Sequence, residues 1–531
     1  MTTSLNLNGP LVSGLPVAII GAGPVGLAAA AHLYERGIRF IVLEAGSAAG
    51  AAIREWSQVR LFSPWEYNVD PAAERLLRNA GWVPPAPTLH PTGGEIIARY
   101  LAPLADLPEL APHLRFQARV TGITRVGRDK LKSDEGRPQA PFRIRFETPA
   151  GEDEILARAV IDATGTWRRP NPLGSEGVPA RGERGESSVV RYGIPDVLGR
   201  ERARYAGRRV LVAGSGHSAF NILLDLVQLA EAEPGTTITW IVRRDRVDAL
   251  FGGGERDKLA ARGALGAAVR RLVDSGKVRV ELSFQANAIE RRSEGIVVRA
   301  GDRLAGPLDE IIVATGFRPD FSFLTELQLG LDPTVESTPL LAPLIDPNVH
   351  SCGTVRPHGY AELSHPEKGF YIAGMKSYGR APTFLMRTGY EQVRSIVAEL
   401  AGDREAAERV ELVLPETGVC SLQRTFEGGG GCCGEERPAK SSCSRNGQAG
   451  CASETRTAIT DAAAAVPKAA EAKADCCGGA PLFNSEACCR NDEVAKTAGN
   501  AGCGCGGTSD KTVSVVPESA PELASAERCC R

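Results

Sequence analysis

The chain has 531 residues and a formal net charge of −2, so it is long enough for two or three domains and carries no basic excess that would favour nucleic acid as a partner. No apolar run approaches the roughly 18–20 residues of a membrane span. The first residues, Met1 to Pro10, have neither a basic nor an apolar targeting region. The sequence therefore predicts a cytoplasmic protein without a membrane segment.

Segments typical of strands and helices alternate through the first part of the chain, which predicts an α/β fold. In chain order they are a strand over 17–21, a helix over about 25–37, a strand over 40–44, β-like segments over 116–126 and 142–148, and a closing strand that ends in Ala163-Thr164-Gly165. The stretch from Trp56 to Pro91 shows no clean periodicity.

The next part repeats this order, so two similar folds are predicted, the second nested in the first. Its elements are a strand over 209–213, a helix over about 218–231, a strand over 239–242 and a closing strand that ends in Ala314-Thr315-Gly316. The returning chain then forms a strand over 370–374. A helix follows over about 383–400, which Thr383 could cap and Gly402 ends.

A glycine-rich turn, Gly21-Ala22-Gly23-Pro24-Val25-Gly26, follows the first strand and opens the first helix. In such a turn the first glycine allows the tight bend, the second lets backbone N–H groups reach a diphosphate, and the third allows close helix packing. Glu44 ends the next strand, where a carboxylate binds ribose hydroxyls and repels a 2′-phosphate. The turn therefore predicts FAD or NAD rather than NADP. The alternative is a turn that only connects strand to helix, and the position of Glu44 argues against it.

A second such turn, Gly214-Ser215-Gly216-His217-Ser218-Ala219, has alanine in place of the last glycine, which is an accepted variant. Arg243 and Arg244 end the following strand, where the first half has Glu44. Two guanidinium groups can hold a 2′-phosphate, which favours NADPH over NADH. The alternative is that both arginines only solvate a strand end. For His217, loop packing or a phosphate hydrogen bond is favoured over acid–base catalysis.

With these motifs, the chain resembles the flavoproteins with two dinucleotide-binding domains, which include thioredoxin-reductase-like enzymes and flavin-containing monooxygenases. The resemblance covers about residues 15–402 and implies FAD in the first domain and NADPH in the second, with the nicotinamide reaching the flavin where the domains meet. It also implies a helix start near Thr383 that faces the flavin pyrimidine. The further cofactor-binding candidates are Trp56, Arg60, Val120, Thr164, Gly165, Thr315, Gly316, Gly374 and Thr383.

The fold class expected from this resemblance is α/β, with two nested Rossmann-like domains and a disordered C-terminal tail. The predicted divisions are an N-terminal extension over 1–14, the FAD-binding domain over 15–205 and 311–415, the inserted NADPH-binding domain over 206–310, and a Cys-rich low-complexity tail over 416–531.

Neither catalytic signature of these families is complete. Disulfide reductases carry a cysteine pair beside the flavin, but this chain has only Cys352 before residue 420. The monooxygenase pattern F-x-G-x-x-x-H-x-x-x-F/Y is absent from 171–205, and Met375-Lys376 follows Gly374 where many disulfide reductases have Gly-Asp. Trp56 and Arg60 resemble the corresponding monooxygenase segment. The chain is most similar to monooxygenase-like flavoproteins found with arsenic-resistance genes, and no catalytic acid, base or nucleophile can be named.

The other thirteen of the fourteen cysteines lie between Cys420 and Cys530 in a tail that has too little apolar surface to fold without a ligand. Adjacent cysteines make strained disulfides, and the tail has no histidine for a zinc site. Thiolates alone suit soft ions such as As(III), Cu(I), Hg(II) or Cd(II). The predicted ligands are Cys432, Cys433, Cys476, Cys477, Cys488, Cys489, Cys503, Cys505, Cys529 and Cys530.

Three functions are compatible with these features. The first is an FAD-dependent oxidoreductase that takes hydride from NADPH and passes electrons to O₂ and a small substrate. The second is a thiol or metalloid redox enzyme that uses the tail cysteines. The third is a soft-metal-binding protein whose flavoprotein body serves regulation or recycling. An incidental low-complexity extension would also explain the tail, and the sequence predicts no oligomeric state.

Overall fold

The computed structural model describes residues 14–246, 251, 259–349, 355–382 and 384–412, all within one compact unit, Met1–Gly430. The α-helices are α1 (Pro24–Glu35), α2 (Ala51–Arg54), α3 (Pro71–Asn79), α4 (Gly93–Ile96), α5 (Ala102–Ala105), α6 (Arg202–Tyr205), α7 (His217–Ala232), α8 (Ala260–Asp274), α9 (Ala342–Ile345), α10 (Met386–Leu400) and α11 (Arg404–Glu408). The strands are β1 (Val17–Ile20), β2 (Phe40–Leu43), β3 (Leu114–Arg115), β4 (Arg119–Arg125), β5 (Phe142–Thr148), β6 (Gly151–Ala157), β7 (Ala159–Asp162), β8 (Val190–Tyr192), β9 (Arg209–Ala213), β10 (Thr237–Ile241), β11 (Arg279–Glu281), β12 (Ala288–Arg292), β13 (Gly295–Ala300), β14 (Arg303–Leu308), β15 (Glu310–Val313) and β16 (Phe370–Ile372).

Five parallel strands form the first sheet in the order β16-β7-β1-β2-β3. The side chains of β1 alternate between two hydrophobic clusters, so that Val17 and Ile19 pack on the side of α1, and Ala18 and Ile20 on the side of β5. Because both faces are covered, β1 is a continuous apolar run instead of an alternating one.

The second sheet is also parallel, with the order β11-β10-β9-β15-β8. Each half also contains a three-stranded antiparallel sheet. In chain order, β4-β5-β6 comes directly before β7 of the first parallel sheet, and β12-β13-β14 comes directly before β15 of the second. The two halves therefore share one order of elements. This confirms the α/β class and the pair of parallel-stranded folds predicted from the sequence.

The second sheet uses residues outside the predicted inserted range 206–310. Strand β8 comes before this range, and β15 extends past it. The two strands pair with each other in parallel, with Val190 opposite Ile311, so both belong to the second sheet. The stretch 56–91, which has no clean periodicity, contains α3. Asp70 caps α3 by accepting hydrogen bonds from the N–H groups of Ala72 and Ala73.

The main helices of the two halves pack against their sheets. Helix α1 is alanine-rich, and its residues 28–31 are fully buried between the first sheet and α10. In the second half, α7 buries leucines such as Leu223 and Leu226 in a cluster with Trp240 of β10. In the part of the chain that the structure describes, no helix is both long and apolar enough to cross a membrane.

A buried three-residue ion cluster ties the antiparallel β4-β5-β6 sheet to the chain just before β16. Nε of Arg125 lies 2.8 Å from Oε1 of Glu367, and Nη2 of Arg137 lies 2.6 Å from Oε2. All three side chains are almost completely buried. The guanidinium of Arg125 also lies over the ring of Phe142, 3.6 Å from its centroid. This cluster links segments more than 200 residues apart along the chain.

Replacing Glu367 with glutamine should lower the free energy of unfolding by about 3–5 kcal/mol, because two buried guanidinium groups lose their counter-charge. Burial alone would raise the pKa of Glu367, but hydrogen bonds from Arg137, the Gln328 N–H and Arg125 outweigh burial and lower it below its usual 4.5. The stabilisation is therefore present above that value and is lost as the pH falls through the lowered pKa. Urea unfolding of the wild type and of Glu367→Gln, from neutral pH to below the lowered pKa of Glu367, measures the difference in the free energy of unfolding.

The control is Glu147→Gln, which breaks an exposed pair with Arg119 on the neighbouring strand. Surface pairs contribute about 0–1 kcal/mol, so this variant should unfold close to the wild type. An equal loss in both variants, or a Glu367→Gln loss that grows as the pH falls, would contradict the assignment.

Candidate active site

The first glycine turn joins β1 to α1 at the carboxyl end of the first sheet. Gly21 has a φ of +104°, and a Cβ there would lie 2.9 Å from the carbonyl oxygen of Ala163. A Cβ at Gly26 would lie 1.9 Å from the carbonyl oxygen of Gly21, so α1 packs directly on the turn. Around Gly23, by contrast, no described atom lies within 4 Å of the Cβ position. Two of the glycines are required by packing, and the third leaves open space for a diphosphate.

The start of α1 is suited to an anion. Gly23 occupies the N-cap position and has no side chain to cap the helix, and Pro24 follows at the first helical position. The first turn of the helix therefore presents backbone N–H groups without a side-chain acceptor among the described residues. With the open space at Gly23, this arrangement fits the diphosphate of FAD.

Glu44 follows β2, and its carboxylate lies against the glycine turn. Its Oε2 accepts a hydrogen bond from the N–H of Ala22 and its Oε1 one from the N–H of Gly46, both at 2.7 Å. These bonds hold the carboxylate in place and leave further lone pairs for ribose hydroxyls. The N–H of Ala118 donates to the Glu44 carbonyl at 2.8 Å, so the strand that carries half-buried Val120 begins beside the same edge.

The turn after β7 contains the predicted residues Thr164 and Gly165. The Thr164 hydroxyl donates to Oδ1 of Asp162 at 2.7 Å and accepts from the Lys376 ammonium at 3.2 Å. Its side chain is thus engaged inside the protein, and the Thr164 N–H also donates to Oδ1 of Asp162, at 3.1 Å. Gly165 has a φ of +67° and open space at its Cβ position.

Gly374 follows β16 and packs against the start of α1. Its φ is +74°, and a Cβ there would lie 3.2 Å from Cγ2 of Val25. Its N–H donates to Oε1 of Gln392 in α10 at 2.7 Å. A Cβ at Gly389 would also meet Val25, at 2.6 Å. The N-terminal turns of α1 and α10 therefore lie side by side at this edge of the sheet.

Helix α10 begins three residues later than the predicted start. Its first residue is Met386, and Leu385 occupies the N-cap position in an extended conformation without a side-chain cap. Thr383 lies outside the described residues. The helix N-terminus predicted to face the flavin pyrimidine thus starts at Met386.

Trp56 and Arg60 lie on the segment after α2. The Trp56 ring is 6.3 Å from the ring of Trp167, which stands on the chain that crosses to the second sheet. The Arg60 guanidinium is exposed and donates to the carbonyl oxygen of His90 at 2.5 Å. Trp56 therefore packs beside the chain that crosses to the second sheet. The Arg60 guanidinium instead binds the neighbouring loop that contains His90.

The second glycine turn repeats the geometry of the first. Gly214 has a φ of +129°, and a Cβ there would lie 2.3 Å from the carbonyl oxygen of Ala314. No described atom lies within 4 Å of the Cβ position of Gly216. Ala219 is fully buried beneath the turn, and the indole N–H of Trp240 donates to the Gly214 carbonyl at 2.6 Å. The turn therefore fits a second dinucleotide diphosphate.

His217 and Ser218 are the first residues of α7, and Gly216 at the N-cap position provides no side-chain cap. The His217 ring lies 4.9 Å from the ring of Phe62, which follows the Trp56 segment of the first half. Gln58 of the same segment donates to the carbonyl oxygen of Ile194 at 2.9 Å. The first half of the chain thus contacts the second directly beside the second glycine turn, a contact that no sequence pattern indicated.

Arg243 and Arg244 follow β10, at the place that Glu44 has after β2. Arg243 is exposed and donates to the carbonyl oxygen of Ser175 at 3.2 Å, which uses only part of the donor capacity of a guanidinium. The carbonyl of half-buried Arg244 accepts from the N–H of Ser283 at 2.8 Å. The positions of both residues are compatible with contacts to a 2′-phosphate.

Thr315 and Gly316 lie where the chain returns from the second sheet to the first. The Thr315 hydroxyl donates to the carbonyl oxygen of Asn171 at 2.9 Å, and the Gly316 carbonyl accepts from the Asn171 N–H at 2.8 Å. The rings of Trp167 and Phe317 lie 4.6 Å apart. The outgoing and returning chains are therefore bound to each other.

All ten cysteines predicted to bind a soft metal or metalloid lie outside the described residues, as does the whole predicted tail 416–531. Within the described ranges, no group of three or more His, Cys, Asp or Glu side chains is arranged to hold a metal ion.

Comparisons with known proteins agree with this geometry. A ferredoxin–NADP reductase of Salinispora arenicola is 29% identical over 320 residues, which is 60% of this chain and 79% of that protein. A flavin-containing monooxygenase of Arabidopsis thaliana is 25% identical over 240 residues, which is 40% of this chain and 48% of that protein.

Among solved structures, a bacillithiol disulfide reductase from Bacillus cereus superposes with a TM-score of 0.53 at 19% identity, over 73% of this chain and 99% of that one. A cadaverine monooxygenase from Erwinia amylovora, solved with FAD bound, superposes with a TM-score of 0.52 at 14% identity, over 76% of this chain and 98% of that one. At these identities the likeness shows a shared fold.

The model of the family described as pyridine nucleotide-disulphide oxidoreductase matches residues 18–344, which is more than half of the chain. This range contains both glycine turns, Glu44, the arginine pair and both crossings between the sheets. The chain therefore belongs to the pyridine nucleotide-disulphide oxidoreductase family and is an enzyme that uses FAD and a nicotinamide dinucleotide.

Proposed function

We propose that this enzyme oxidises NADPH at the second glycine turn and, through FAD at the first, passes electrons to O₂ and a small substrate. The observation that carries the cofactor assignment is the opposite charge at two equivalent strand ends, Glu44 after β2 and Arg243-Arg244 after β10. A carboxylate beside the ribose disfavours a 2′-phosphate, whereas paired guanidinium groups favour one.

The residues of the chain bind and orient the two dinucleotides. Glu44 would hold the ribose of FAD, and the start of α1 would hold its diphosphate. The start of α7 would hold the diphosphate of NADPH. When bound, FAD supplies the hydride acceptor and the reactivity towards O₂. Hydrogen bonds between Asn171 and Thr315 join the two crossings between the sheets.

The proposed acceptor follows from the distribution of thiols and from the relatives. A disulfide reductase needs a cysteine pair beside the flavin, and residues 1–419 contain Cys352 as their single cysteine. The relatives include a flavin-containing monooxygenase and two indole-3-pyruvate monooxygenases besides the ferredoxin–NADP reductases. Oxygen and a small molecule therefore suit this body better than a disulfide does.

A variant that ends after Pro415 should oxidise NADPH and consume O₂ at the wild-type rate, because the proposed electron path uses no tail cysteine. Rates of NADPH loss and O₂ uptake, measured with and without candidate small substrates, test this. The control is the full-length chain with all tail cysteines changed to serine, which removes the thiols and keeps the chain length. If both variants lose activity, the tail is the electron acceptor and the monooxygenase proposal fails.

A second function is supported by the tail sequence, in which four vicinal cysteine pairs and Cys503-Gly504-Cys505 fall within about a hundred residues. We propose that these thiols bind a soft metal or metalloid ion such as As(III). Added As(III) should then protect thiols of the full-length protein from titration with a disulfide reagent. Unprotected thiols would remove the basis for this function without affecting the first.

A further inference from the structure

A fully buried ion pair joins the turns after β7 and β16, the two strands that follow β1 on one side of the first sheet. The ammonium of Lys376 lies 2.6 Å from Oδ2 of Asp162, and neither side chain is exposed. Asp162 is the last residue of β7, and Lys376 lies in the short helix Gly374–Tyr378 after β16. Two buried charges cost more free energy than apolar residues of the same volume would, so packing alone does not explain the pair.

Each charge has further partners that stabilise it. Oδ1 of Asp162 accepts the N–H of Thr164 at 3.1 Å and its hydroxyl at 2.7 Å. The Lys376 ammonium also donates to the Thr164 hydroxyl at 3.2 Å. It lies over the rings of Phe323 and Phe321, 4.5 and 5.5 Å from their centroids. These contacts stabilise both charges in addition to the ion pair itself.

The pair lies at the edge of the sheet where the dinucleotide binds. Asp162 pairs in register with Ile20, the residue before Gly21. A Cβ at Gly21 would lie 3.3 Å from Cα of Thr164, and Gly374 packs on the start of α1. In open parallel sheets, ligands bind outside the carboxyl ends of the strands. The pair is therefore beneath the same turns that would hold FAD.

We propose that each charge of the Asp162–Lys376 pair acts on the bound flavin, that their mutual balance keeps its reduction potential at the wild-type value, and that Lys376 is a positioning residue for the Thr164 turn. Flavin gains negative charge when it takes up electrons, so an unbalanced charge in its low-dielectric surroundings changes its potential. The inference rests on FAD binding at the first glycine turn and does not depend on the electron acceptor.

The test is the midpoint potential of the full-length FAD-loaded protein, measured by equilibration with redox dyes at one pH. Lys376→Met leaves the Asp162 carboxylate unbalanced, so the potential should become more negative. Asp162→Asn leaves the ammonium unbalanced, so the potential should become more positive. The double variant has neither charge and should lie between the two single variants, close to wild type. Glu367→Gln, which breaks a different buried ion cluster, should not shift the potential.

Single variants that shift the potential in the same direction, or not at all, would overturn the proposal. A purely structural pair would reduce FAD content in every variant while the retained flavin kept its wild-type potential. If Lys376→Met does not fold, Asp162→Asn carries the test alone, because asparagine has nearly the same size and can still bond to Thr164. A wild-type chain that binds no FAD would instead contradict the FAD assignment itself.

Discussion

Replacing Gly23 with alanine should strongly reduce FAD binding without disturbing the fold. Gly23 has a φ of −81° and a ψ of −174°, which alanine adopts freely, and no described atom would meet the added methyl group. The methyl group would occupy the space of the diphosphate. Loss of one charge-assisted hydrogen bond costs about 1.5–3 kcal/mol, so FAD affinity should fall by at least about tenfold. Titration of the FAD-free protein with FAD, followed by fluorescence, measures the change.

Gly216→Ala is the matched variant in the second turn. Gly216 has a φ of −96° and a ψ of 179°, and its Cβ position is equally open. This variant should keep the wild-type FAD content and raise the KM for NADPH by a similar factor. Each variant is therefore the control for the other. If Gly216→Ala lost FAD while Gly23→Ala retained it, the two cofactors would have to exchange places.

Changing both Arg243 and Arg244 to alanine should remove the preference for NADPH over NADH. Charge-assisted bonds to a phosphate contribute about 1.5–3 kcal/mol each, so the loss of two should lower the ratio of kcat/KM for NADPH to that for NADH by at least about 100-fold. The value for NADH itself should change little, because NADH has no 2′-phosphate. Steady-state kinetics with both nucleotides measure the ratio.

Arg145→Ala is the control for this change, since Arg145 is an exposed arginine on β5 of the first half. It removes one positive charge and should leave the ratio unchanged. An unchanged ratio in the double variant would show that the two arginines only solvate the end of β10.

The parts of the fold that could be predicted from the sequence are those that local physics determines. Strands such as β1 and β9 are short apolar runs because both of their faces are buried. The first glycine of each turn, Gly21 and Gly214, adopts a positive φ beside a backbone carbonyl, so no other residue type fits there. These local requirements are visible in any single sequence.

The contacts that could not be predicted join residues far apart in the chain. Asp162 and Lys376 are separated by 214 positions, and neither belongs to a sequence motif that predicts a buried ion pair. The contact between Phe62 and His217 likewise depends on how the two halves pack. Strand β8 is only three residues long and partly exposed, so its sequence shows no hydrophobic pattern that would predict its pairing with β15.

The start of α10 shows a smaller limit of sequence reasoning. Thr383 is a favourable capping residue, yet the backbone is still extended at Leu385 and the helix begins at Met386. The residue at which α10 begins is determined by packing, because Gly389 must lie against Val25 and Gln392 must reach the Gly374 N–H.

The central claim is that NADPH bound in the second half reduces FAD bound in the first. Anaerobic titration of the purified FAD-loaded protein with NADPH tests it most directly, through the visible absorbance of the flavin. The proposed arrangement predicts stoichiometric bleaching by NADPH and recovery of the absorbance when O₂ is admitted. Flavin absorbance that NADPH leaves unchanged would contradict it.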